Sequence, residues 1–121
     1  MKSYDMSSLA RDHGFVGKVR ISERVMDDCM YVAEQVVSDY GVSPIERFHL
    51  LLQCVASQLS GYPVGTQAVR LTHQRIPPSG NPHQPLALEL EALVVQNDRQ
   101  HGDYLLVARH DELNHSLLFA A

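Results

Sequence analysis

The residues His110-Asp111-Glu112-Leu113-Asn114-His115 place two histidines, two acids and an amide within one short stretch, the best candidate for chemistry in this chain. On a helix, Glu112 and His115 share a face, at the spacing that supplies one metal ligand pair. A carboxylate-bridged di-iron site needs two such pairs and further glutamates, and only one copy occurs. The zincin spacing His-Glu-x-x-His is absent. In a connector, Asp111 and Asn114 are ordinary turn residues. His110 and His115 would then flank it, short of the ligands a zinc ion wants. We read the stretch as a polar connector, with His110, Glu112 and His115 as the metal candidates.

The remaining histidines, His13, His49, His73, His83 and His101, show no ligand spacing. Cys29 sits within an apolar stripe and Cys54 follows leucines, so both read as small buried residues rather than nucleophiles. Gly61-Tyr62-Pro63-Val64-Gly65-Thr66 lacks the lysine of a phosphate loop. No nucleophile elbow or Cys-x-x-Cys pair occurs. No cofactor is implied.

Helices and strands must position these groups. Ser22 can cap a helix whose apolar residues recur at Val25, Cys29, Val32, Val36 and Tyr40, and Gly41 suits its C-terminal turn. Ser43-Pro44-Ile45-Glu46 announces a second helix, with Phe48, Leu51, Leu52, Val55 and Leu59 on one stripe. The short linker between them predicts an antiparallel hairpin, about 22–40 and 43–60. Val25 then faces Leu59, Cys29 faces Val55, Val32 faces Leu52 and Val36 faces Phe48, all about Val42. The alternating, β-branched stretch 68–76 predicts a strand. The composition of 86–96 suits a helix. Its alternation of Leu86, Leu88, Leu90, Ala92 and Val94 against Glu89 and Glu91 suits a half-buried strand, and the strand is taken. Segment 104–109 reads as a strand and 116–121 as a last strand or short helix. A short strand is also expected within 15–21. Residues 1–14 are expected to form a polar arm, ordered or frayed and flexible, and 77–85, with four prolines, an exposed loop.

The predicted fold is a single two-layer α+β domain: a helical hairpin on one face of a three- to four-stranded antiparallel sheet. With 121 residues, 45% of them apolar, it can bury a core without a metal or disulfide framework. No apolar run approaches the length of a membrane span or the core of a signal peptide, and two cysteines do not make a secreted scaffold. A soluble cytoplasmic protein is expected.

The net charge of −4 and the scattered arginines argue against nucleic acid as a partner. The second helix would be the reader of a helix-turn-helix, and a DNA-binding regulator is kept as the weakest alternative. A small-ligand binder or metal-dependent enzyme using 110–115, Arg109 or His73 is the stronger one. The favoured expectation is a non-enzymatic interaction or inhibitor-type domain, binding a protein partner or itself. Leu93, Val95, Leu105, Val107 and Arg109 are the expected interface, because neither side of the C-terminal strands is polar enough to face only water.

Overall fold

The computed structural model describes residues 1–31, 34–41, 43–63, 65–75 and 86–113. Among the described residues five strands form one mixed sheet: β1 (Ser3–Asp5), β2 (Val19–Ser22), β3 (Ala68–Arg75), β4 (Leu86–Asp98) and β5 (Gly102–Arg109), in the order β1-β2-β5-β4-β3. Four α-helices accompany them there: α1 (Ser7–Ala10), α2 (Glu23–Cys29), α3 (Glu34–Tyr40) and α4 (Pro44–Leu59).

The fold class is α+β, as the sequence implies, but the sheet departs from the expected meander. β3, β4 and β5 pair antiparallel in sequence, while β2 lies parallel to β5 and β1 closes that side. β3, β4 and β5 match the strands expected over 68–76, 86–96 and 104–109, β2 overlaps the short strand expected within 15–21, and β1 falls within 1–14, where the arm was expected. There Ala10 is fully buried, and Met6, Leu9 and Phe15 pack on the core. Ser7 donates to Asp5 Oδ1 and accepts from Val19 N at 2.9 Å, which ties the start of the chain to β2.

β4 is a strand throughout, which resolves the ambiguity of 86–96 in favour of alternation. The β4–β5 turn is held by Asp98, whose Oδ1 accepts from Gln100 N and His101 N. Gly102 takes the positive φ of 71° that this reversal requires. The expected segment 116–121 lies outside the described residues, as do Asn114, His115 and the whole proline-rich loop 77–85.

Both helix starts behave as read. Ser22 Oγ accepts from Val25 N at 3.2 Å and Ser43 Oγ from Glu46 N at 3.1 Å. On α4, Phe48, Leu51, Leu52 and Val55 are fully buried. Each contributes about 1.5–3 kcal/mol through removal of apolar surface from water.

The expected single helix over 22–40 is a correction. Helical geometry ends at Cys29, Met30 and Tyr31 lie outside it, and a separate helix is described over Glu34–Tyr40. Arg47, buried on α4, donates from Nη2 to Asp28 O at 2.7 Å and from Nη1 to Tyr31 O. Arg75 donates to Asp28 O at 2.6 Å. Those carbonyls would otherwise accept within a continuous helix. The buried guanidinium groups satisfy them instead. Cys29 and Val55 share the same buried core, and α2 packs on α4. Val32, one of the facing residues, lies outside the described residues.

Candidate functional site

Three arginines from three elements converge on Asp28 at the end of α2. Arg47 comes from α4, Arg75 from the end of β3 and Arg109 from the end of β5. Arg47 and Arg75 bind the Asp28 main-chain oxygen. Arg109 Nη1 meets the Asp28 carboxylate at 2.8 Å, and Arg75 lies at 4.0 Å from it. Arg109 also grips Asp111 in a bidentate pair at 3.0 and 2.7 Å. Burial opposes the charge on Arg109. The Asp111 hydrogen bonds and the Asp28 and Asp111 charges outweigh it and hold its pKa above the ordinary value. At Arg47 burial prevails and lowers the pKa.

The cluster arises locally from positions on buried faces. Arg47 stands four residues before Leu51 on the α4 stripe. Arg75 continues the alternation of Val69, Leu71 and His73, and Arg109 that of Leu105 and Val107. His73 lies near the cluster, 5% exposed, and burial together with the Arg47 and Arg75 charges lowers its pKa to about 4. Sequence reasoning missed the cluster, although an arginine in phase with an apolar stripe was its available signal.

The stretch 110–112 forms a short 3-10 turn at the end of β5. Glu112 Oε1 accepts from Arg109 N at 2.7 Å and from Ser22 Oγ, so this carboxylate fastens the turn to the start of α2. His110 Nδ1 lies 3.3 Å from Glu91 Oε1, and Glu91 is buried. Asp111 holds Arg109. A cleft of about 370 Å³ beside the turn is lined by Arg70, Leu88, Glu89, Arg109, His110 and Asp111. No group of three or more potential metal-ligating side chains occurs among the described residues. The three metal candidates divide: His110 and Glu112 engage different partners, and His115 lies outside the described residues.

No family model matches the chain, and no curated protein or solved structure matches it.

The arrangement is a polar clamp rather than a reactive centre. Its charges meet one another or main-chain oxygens, apart from the Nε of Arg75, which is buried without a hydrogen-bond partner among the described residues. Cys29, the nearest nucleophile type, has its thiol pKa pushed up to about 12 chiefly by burial, so it carries no thiolate near neutral pH. Cys54 is half-buried, its pKa also raised by burial.

The expected interface residues fall on two faces. The register pairs Leu93 with Leu106 and Val95 with Tyr104, while Leu105 pairs with Val94 and Val107 with Ala92. Directly opposed residues share a face. Leu105, Val107 and Arg109 therefore look toward α2 and α4, and Val107 is fully buried in the chain's own core. Leu93 and Val95 lie on the outer face with Tyr104, Leu106 and Ala108. The five do not form one patch, because the pleat separates odd from even residues on each strand.

Proposed function

We propose that this chain is a small interaction domain that acts by binding a protein surface, first of all a second copy of itself, rather than by catalysis. The observation that carries the reading is the outer sheet face. Half-buried Leu93, Val95 and Tyr104 lie on it, and exposed Arg70, Thr72, Gln74 and Glu89 lie toward the β3 side. An apolar centre with a polar border is the anatomy of a protein contact. A symmetric pair is the simplest closed assembly for it. Light scattering across a concentration series is expected to show a mass above the monomer, and Leu93→Lys or Val95→Lys is expected to reduce it. A monomeric mass for the wild-type protein throughout would sink self-association through this face.

A second reading draws on His110. An imidazole held beside buried Glu91, at the mouth of a cleft that also presents Arg70 and Arg109, could bind a small anionic ligand. A thermal-shift panel of small carboxylates and phosphates tests it: stabilisation lost in His110→Ala would favour it, and no shift with any ligand would discard it.

A further inference from the structure

Gln58 makes a contact that sequence reasoning did not anticipate. Its side-chain Nε2 donates to Thr72 O at 2.7 Å, and its Oε1 accepts from Thr72 N at 3.3 Å. Thr72 lies in the middle of β3, the terminal strand of the sheet. One side-chain amide thus engages both main-chain groups of a residue on an edge that no other described strand pairs, as the peptide group of a neighbouring strand would. Because successive residues of a strand alternate the direction of N–H and C=O, Ala68, Arg70 and Gln74 turn theirs to the same edge as Thr72. All four residues are exposed.

Beside this edge α4 and β3 bound a cleft of about 480 Å³ lined by Leu50, Gln53, Cys54, Ser57, Gln58 and Thr72, among others. Leu50 is 45% exposed on the α4 surface. The opposite edge of the sheet, β1, has three residues and is too short to offer a comparable ladder. Long open edges recruit strands unless something blocks them.

We propose that the β3 edge is a self-pairing site, at which β3 of a second copy adds antiparallel across a two-fold axis and displaces the Gln58 amide. Charge complementarity selects this occupant. In the register that uses the whole strand, Ala68 faces Gln74 of the other copy and Arg70 faces its Thr72. Within one chain the register sets Arg70 across from Glu91 and Thr72 across from Glu89, and the Glu89 carboxylate meets Arg70 Nε at 3.4 Å and accepts from Thr72 Oγ1. Along that row each Arg70 therefore stands between Glu91 of its own β4 and, beyond Thr72, Glu89 of the second copy. Slipping the register to oppose Arg70 with Arg70 would set like charges face to face. On the core side Leu71 meets its own counterpart, and α4 of each copy, with Cys54 and Gln58 against Thr72 and Leu50 in the adjoining cleft, flanks the axis. Gln58 acts as a stopper: it satisfies the edge in the single chain and sets a threshold that a true strand must exceed.

The inference rests on the reading of this chain as a self-associating domain but assigns a different surface, so the test removes the outer face first. Sedimentation equilibrium of Leu93→Lys protein is expected to show a monomer–dimer equilibrium. Adding Gln58→Ala is expected to tighten it about tenfold, since the competing hydrogen bonds are gone. Adding Thr72→Pro, which removes an edge N–H at a position facing away from β4, is expected to leave a monomer. Leu50→Asp, an exposed helix change that spares the strand, is expected to do the same and serves if the proline variant does not fold. Leu93→Lys protein that is monomeric with or without Gln58→Ala overturns the edge site and leaves the outer-face reading standing. A dimer indifferent to the edge and Leu50 changes also overturns it, and wild-type protein that is monomeric throughout removes both.

Discussion

Arg47 Nη2 sits 2.7 Å from the main-chain oxygen of Asp28, across 19 residues of sequence, and holds open the break between α2 and α3. Removing the guanidinium takes the donor from the Tyr31 carbonyl, whereas the Asp28 carbonyl keeps its bond from Arg75, in a region where Arg47 itself is only 1% exposed. Arg47→Leu is therefore expected to lower unfolding stability by about 1–3 kcal/mol, the cost of one orphaned acceptor. Urea denaturation followed by circular dichroism measures it. Unchanged stability would mean that the two helical pieces join and satisfy these carbonyls themselves.

At the other end of the clamp, Glu112→Ala is expected to cost about 1 kcal/mol, because its carboxylate accepts from both Ser22 and Arg109. The Arg109–Asp28 pair, with both side chains 24% exposed, is expected to show a coupling on the order of 1 kcal/mol in a double-mutant cycle. Zero coupling, with each single change harmless, would reduce the cluster to a surface arrangement.

Acid should destabilise the fold through His73. Its folded pKa, about 4, lies below the unfolded value near 6.5. Between those values the unfolded chain binds the extra proton, so stability falls as pH drops from about 6.5 toward 4. The full loss is roughly 3 kcal/mol, and nothing is lost from this group above pH 7. His73→Gln is expected to flatten that part of the curve of denaturation midpoint against pH. An identical pH dependence in the variant and the wild type would remove His73 as the cause.

The two thiols are expected to differ in reactivity. Cys29 is 1% exposed with a pKa of about 12, whereas Cys54 borders the cleft beside β3. Alkylation of the native protein followed by peptide mass mapping should label Cys54 alone, faster at pH 9 than at pH 7. Both should react in denaturant. Early labelling of Cys29 would show that the core opens on the timescale of the reaction.

Lysine substitutions separate the two faces of the sheet. Val107→Lys places a charge among fully buried residues and is expected to prevent folding, whereas Leu93→Lys should retain the native circular dichroism spectrum. A folded, soluble Val107→Lys protein would contradict the assignment of that face to the core.

Several features are legible in the sequence because they are settled within a few residues. Ser22 and Ser43 cap helices through donors three positions on, and the α4 stripe follows its period. Leu88, Leu90 and Ala92 declare a strand by alternation. Tertiary structure alone decided the rest. Arg109 finds Asp28 at a separation of 81 residues and Glu112 finds Ser22 at 90. The insertion of β2 beside β5 and the break after Cys29 depend on partners equally remote in sequence. The face on which Val107 lies is set by the pairing of β4 with β5 and by the helices that cover it, not by its neighbours in the chain. A long-range hydrogen bond or buried face requires two distant segments to meet. Periodicity fixes which residues of a segment share a side, and only packing fixes which side becomes the core.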